Sequence, residues 1–115
     1  MSKHDPTIRM RHMLDYATEA VNMAKGKSPE DIAGNRMLLL ALIHLVEMVG
    51  EAASQIPLDT LARYPGIPWS KAIGTRHRLV HGYDAVDQKV LLDTTHDDPP
   101  PLIEELKRAL PPALV

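Results

Sequence analysis

Arg76 and His81 are the residues of this chain best suited to chemistry on a phosphate. They sit in the run Trp69 to Asp87, where Trp69, Ile73 and Val80 repeat at helical spacing and Arg76 and Tyr83 fall on the same stripe. A guanidinium thus stands where a core side chain is expected. It cannot shed its proton, so when shielded from water it needs an anion beside it, and leaving it unpaired is costly. Either the protein supplies a carboxylate or a ligand supplies a phosphate. His77 and His81 are four residues apart, hence on one helix face beside that stripe. Histidine is the side chain best placed to move a proton near neutral pH. A metal site built from His77, His81 and Asp84 or Asp87 is the other chemistry these types permit, although the acids lie past a break and there is no HExxH signature.

The elements that must position these groups follow from capping signals. Gly82 is a residue common just past a helix end, and Asp84 with Asp87 three later reads as an N-cap with an acidic N3. The spacing predicts a helix ending near His81, a break at Gly82 and Tyr83, and a new helix from Asp84. On an ideal helix Arg76 and His81 point about 140° apart, at roughly 100° per residue. The break, or a second copy across a two-fold axis, is therefore needed for them to converge.

Upstream, Asp5-Pro6 is a cap followed by Pro at N1, and Met10, Met13, Leu14, Ala17, Val21 and Ala24 repeat at helical spacing until Gly26. Ser28-Pro29-Glu30-Asp31 repeats the start signal, and a second helix is expected to run unbroken to about Ala53. Its apolar run from Met37 to Val49 is interrupted by His44 and Glu47 and falls short of the roughly 20 residues of a membrane span. It reads as a central helix buried nearly all round. Within it, His44 reads as a core or interface histidine. Glu47 and Glu51, one turn apart, either pair with Arg76 or Arg78 or shape a pocket. Leu58 to Arg63 has room for a turn or two before Tyr64-Pro65-Gly66-Ile67-Pro68 punctuates the chain. The Asp84 helix is expected to last to about Thr94, and Asp97-Asp98-Pro99 to start a last amphipathic helix through Leu102, Ile103, Leu106 and Leu110. No segment alternates with a period of two. The expectation is an all-α, antiparallel bundle of four or five main helices forming one domain over residues 1–115.

Composition narrows the function. The chain has 115 residues, enough for one core. It has no Cys, which excludes disulfides, thiolate metal sites and thiol nucleophiles and fits a reducing cytoplasm. With 44% hydrophobic but only 3% aromatic residues and no Phe, the core must be Leu, Met, Ala, Ile and Val. A net charge of -2 argues against coating nucleic acid by bulk electrostatics, so an RNA site must be local or made by two chains together. The N-terminal residues have no apolar leader pattern, and no membrane association is expected. No nucleophile elbow or glycine-rich phosphate loop is present.

Arg76, four residues, His81, one residue, then Tyr83 resembles the Arg-x4-His-x-Tyr motif of HEPN-domain proteins, specifically the HepT-like toxins. Glu47 to Ala53, Tyr64 to Trp69 and Arg76 to Asp87 also look like that family's blocks, in its order. The resemblance implies a HEPN-like helical homodimer with the motif at its interface. It further implies metal-independent RNA cleavage without a cofactor, in which the 2'-hydroxyl attacks the adjacent phosphate. Arg76 and His81 would be catalytic, with His77, Arg78, Glu47 and Glu51 as candidates for supporting or substrate-binding roles. The partner it implies is a minimal nucleotidyltransferase antitoxin, which would neutralise the toxin by binding and by AMP transfer to Tyr83. One departure is His77, where such sequences often have Asn after the motif Arg. The alternative within this resemblance is a non-catalytic HEPN-like module that docks a nucleotidyltransferase.

Overall fold

The computed structural model describes residues 5–80, 88–97 and 99–110, with the helical backbone alone for 75–80 and 88–92. Helix α1 spans Pro6–Ala24. The Asp5 carboxylate caps it, accepting from the Thr7 backbone N–H at 2.9 Å and the Thr7 hydroxyl at 2.7 Å. Pro6 costs no hydrogen bond at this end. Met10, Met13, Leu14, Ala17, Ala20 and Ala24 form its buried face, the i, i+3, i+4 stripe expected of a helix on a core. The helix gives way to Gly26, whose φ of 73° is one that L side chains rarely adopt.

The second expected helix is two helices, which corrects the unbroken reading. Helix α2 is only Pro29–Ala33 and α3 is Arg36–Ser54. The capping box of α2 forms as expected: the Asp31 carboxylate accepts from the Ser28 N–H at 2.8 Å and the Ser28 hydroxyl from the Asp31 N–H at 3.2 Å. The chain then leaves the helix at Gly34, and Asn35 takes an extended conformation in which its side-chain oxygen accepts the Leu38 N–H at 3.1 Å. A short polar side chain at that position competes with the helical backbone and re-caps the next helix.

After α3 come the short α4, Leu58–Arg63, then α5, Trp69–Val80, α6, Gln88–Asp97, and α7, Pro99–Ala109. Helix α6 runs three residues beyond the expected end at Thr94, and α7 begins at Pro99 as the start signal predicted, with Asp98, the residue before it, outside the described residues. The expected start of that helix at Asp84 lies outside the described residues. All regular structure among the described residues is helical.

The pairing of the helices can be read from the buried clusters. One joins Met10, Met13, Leu14 and Ala17 of early α1 to Val49, Ala52 and Ala53 of late α3. The other joins Ala20 and Ala24 of late α1 to Leu42, Leu45 and Val46 of early α3. The two helices are therefore antiparallel. Helix α7 adds Leu102, Leu106 and Leu110 to the first cluster. Leu110 lies against Thr7 to His12 while Leu102 lies beside Ala17 and Ala20, so α7 is antiparallel to α1 as well. At the other end the His96 Nε2 lies 3.0 Å from the Ala24 carbonyl oxygen, joining the last turn of α6 to the end of α1. The core is aliphatic, as the composition requires, with Trp69 buried in it and Tyr16 and Tyr64 partly buried against it.

Helix α3 is not buried all round. It is long and apolar enough to pass for a membrane span by length and composition, yet one face packs on α1 and α5 while the opposite face carries exposed Met37, Leu40 and His44. Met37 is 83% exposed.

Candidate functional site

Helix α5 carries Arg76, the first residue of the motif, and its own first residues fix where it goes. Tyr64 to Pro68 form a tight turn in which the Tyr64 carbonyl accepts the Ile67 N–H at 3.1 Å and the Trp69 indole N–H at 3.1 Å. Ile67 and Trp69 are both buried against α3 and α7 residues. The indole is held by its ring in the core and by its nitrogen on the preceding turn, so the origin and rotation of α5 are set. The spacing singled out Trp69 as an apolar position; its hydrogen bond to a carbonyl five residues back was not readable from pattern.

From that anchor α5 runs back along α3. Lys71 and Ala72 line a cleft with Val46 and Val49, above the level of Ala53 where Trp69 begins. A 12-residue helix packed along α3 from there must be antiparallel to it, since the other direction would carry it off the end of α3. At 1.5 Å per residue, Arg76 comes about 6 Å beyond Ala72, level with roughly the middle of α3. Arg76, His77 and Arg78 thus lie in the second half of α5, where the backbone is described. His81 and Tyr83 lie outside the described residues, as do Asp84 and Asp87.

The supporting acids stand on α3. Glu47 and Glu51 are both half-buried. The Glu51 carboxylate accepts from the Gln55 side-chain amide at 2.7 Å, an i, i+4 contact within the helix. Of the two, Glu47 is nearer in level to the Arg76 turn. His44 is exposed on the outward face and so is not a core histidine. Among the described residues no group of three His, Asp or Glu could hold a metal ion. The cleft between α5 and α7 has a volume of about 40 Å³ and is lined mainly by Ala17, Ala20, Val46, Val49, Ala72 and Leu102. An apolar space of that size holds no nucleotide.

Among the described residues two carboxylates, both at helix caps, are held below their ordinary value. Asp5 is held below its ordinary value of 3.8 by the Thr7 hydroxyl and then the Thr7 N–H. Asp31 is held below 3.8 by the Ser28 N–H and then its hydroxyl.

The family model described as "Ribonuclease HepT-like" matches residues 13–109, from the first turns of α1 to the end of α7. A Methanocaldococcus jannaschii protein named "Putative RNase MJ1216" is 28% identical over 110 residues, covering 96% of this chain and 91% of that protein. A second from the same organism, "Putative RNase MJ0125", is 29% identical over 110 residues, with 96% and 95% covered. "Probable ribonuclease HepT" of Thermococcus cleftensis is 37% identical over 73 residues, 64% of this chain and 66% of that one. No solved structure matches.

Proposed function

Because the chain belongs to the HepT-like ribonuclease family, we propose that it is a metal-independent endoribonuclease, the toxin of a toxin–antitoxin module. The observation that carries this is the family match over residues 13–109, the range in which Arg76, His81 and Tyr83 lie. In the reaction a 2'-hydroxyl attacks the adjacent phosphorus, the bond to the 5'-oxygen breaks, and a 2',3'-cyclic phosphate and a 5'-hydroxyl result. His81 handles the proton and Arg76 stands at the charge that develops on the phosphoryl oxygens. His77 and Arg78 contribute to phosphate contact, and Glu47 and Glu51 support the cations from α3. Two copies of the chain bring their Arg76 and His81 sets to one cleft, which meets the 140° separation of the two groups on one helix. No metal or cofactor takes part, and the reaction belongs to the cytoplasm.

The antitoxin on this reading is a minimal nucleotidyltransferase. The Tyr83 phenol oxygen attacks the α-phosphorus of ATP, pyrophosphate leaves, and the added AMP places negative charge where the scissile phosphate would sit. The deciding experiment is cleavage of RNA by the purified chain in EDTA, with growth on expression followed in parallel. Wild type cleaves and arrests growth, whereas Arg76→Ala and His81→Ala do neither. If all three are equally harmless and inactive, the chain is a non-catalytic helical module that docks a nucleotidyltransferase.

A further inference from the structure

A second set of side chains gathers at the turn that launches α5, against the C-terminal half of α7. Tyr64, Gly66 and Ile67 of the turn and Glu105, Arg108 and Ala109 of α7 line an open groove of about 250 Å³, where the cleft between α5 and α7 has about 40 Å³. None of these residues has a part in the reaction given above. Arg108 Nη1 donates to Glu105 Oε2 at 2.7 Å, an i, i+3 contact along α7. The other carboxylate oxygen, Oε1, lies over Gly66, so near that a Cβ there would come 2.7 Å from it. Glycine thus lets the half-buried carboxylate rest against the turn. Beside the groove the exposed Arg63 guanidinium stands 5.9 Å from the centroid of the Tyr64 ring. Arg108 is 73% exposed, and an ion pair so open to water contributes little to stability. The fold gains little from this pair, but the pair holds an acceptor and a donor side by side.

An aromatic ring, a carboxylate and two guanidinium groups around one groove have the chemistry of a base reader. Single-stranded RNA is recognised by stacking splayed bases on aromatic rings or guanidinium planes and by bonds to their Watson–Crick edges. We propose that this groove takes one guanine of a single-stranded RNA, stacked on Tyr64 with its Watson–Crick edge on the Glu105 and Arg108 pair; this rests on the ribonuclease reading above. An ionised carboxylate can only accept hydrogen bonds. Guanine alone offers it two adjacent donors, N1–H and N2–H, with the O6 acceptor beside them for a guanidinium N–H. Adenine and cytosine set a ring-nitrogen acceptor next to their one amino group, and uracil flanks its one N–H with two carbonyls. Each of those three would turn a lone pair toward the carboxylate. Arg108 has five N–H donors, so its bond to Glu105 leaves others for O6. Arg63, at the rim, meets the flanking phosphate. Trp69 to Arg76 is seven residues, about 10 Å along α5, so the groove lies a short way before the motif helix reaches Arg76.

The test uses end-labelled pentanucleotides, UUGUU, UUAUU, UUCUU and UUUUU, with every 2'-hydroxyl methylated so that none can be cleaved. Each is titrated into the purified full-length chain and followed by fluorescence anisotropy. UUGUU binds roughly tenfold more tightly than the other three. Tyr64→Ala weakens UUGUU severalfold, and Tyr64→Phe, which keeps the ring, does not. Glu105→Gln keeps the shape but turns a donor toward the base, and it erases the guanine preference while leaving UUUUU unchanged. Gly66→Ala gives the same loss by another route. Its new Cβ pushes the flexible end of Glu105 aside, and the backbone there is outside the left-handed region, so alanine is tolerated. Both variants keep the helical circular dichroism and the melting temperature of wild type. Four oligonucleotides bound alike or not at all, a guanine preference that survives Glu105→Gln or Gly66→Ala, or affinity untouched by Tyr64→Ala overturns the proposal. No cleavage enters these measurements. A chain that prefers UUGUU but cuts no RNA would therefore refute the ribonuclease reading and leave this site standing, whereas one that cuts RNA but binds all four alike would refute this site alone.

Discussion

At the scale of the residue, the two ionisable partners of the reaction are expected to separate by how they respond to conditions. If His81 moves the proton, the cleavage rate changes across the range in which histidine ordinarily titrates, about pH 6 to 7, and EDTA leaves it unchanged. A loss in EDTA restored by a divalent ion would instead point to a metal held by His77 and His81. Arg76→Lys keeps the charge but not the planar fork that matches phosphate, and is expected to lose at least tenfold in rate at unchanged fold. Tyr83 is tested by mass. Co-expression with a neighbouring nucleotidyltransferase adds about 329 Da by formula for an AMP ester replacing a proton, and Tyr83→Phe abolishes the addition. Full neutralisation of an active Tyr83→Phe chain with no adduct would mean that masking the cleft is enough.

At the scale of the element, the caps have a measurable effect. Asn35 is what separates α2 from α3, its side chain holding the Leu38 N–H. Asn35→Ala is expected to lower stability by about 1 kcal/mol, read as a shift in the urea midpoint at constant slope. The acid dependence of the caps follows from the lowered carboxylates. Asp31 has a folded value below 3.8, so it favours the folded state above that value and loses this contribution as pH falls through the folded value. Asp31→Asn should therefore melt earlier than wild type at neutral pH, and the gap should close in strong acid. An equal gap at both ends of the pH range would show that the carboxylate charge is not what the Ser28 box uses. The Trp69 anchor acts at this scale too: its indole nitrogen is bound to the turn that launches α5, so Trp69→Phe tests whether that bond alone holds the motif helix in place.

At the scale of the molecule, the core and the exposed face of α3 are expected to respond in opposite ways. Leu42 and Leu106 are fully buried, and truncating either to Ala should cost about 2–5 kcal/mol in a monomer-referenced unfolding measurement. Met37 is largely exposed, and Met37→Ser should leave that measurement nearly unchanged. A dimer adds a second signature, because association that favours the folded state makes the melting temperature rise with protein concentration. A melting temperature independent of concentration in the wild type would mean that the chain is not held together by pairing.

Much of this architecture was legible from short-range patterns. Asp5-Pro6 and Ser28-Pro29 announced their helices because a cap is made between a side chain and backbone groups two or three residues away. The all-helical class and the aliphatic core followed from periodicity and from the lack of Phe, and the motif blocks led to the family that the match over residues 13–109 bears out. The break at Asn35 was not read from the sequence, since a polar residue before an apolar run is either a tolerated helical position or a cap. What covers a face was not legible at all. Periodicity tells which residues share a side of a helix; it does not tell which helix lies against that side. Hence α3 read as buried throughout, and only the packing of α1 and α5 on one side of it left Met37, Leu40 and His44 outside. The joining of His96 to Ala24, 72 residues apart, is of the same kind. Such contacts depend on where the chain returns to in space, and tertiary structure alone decides that.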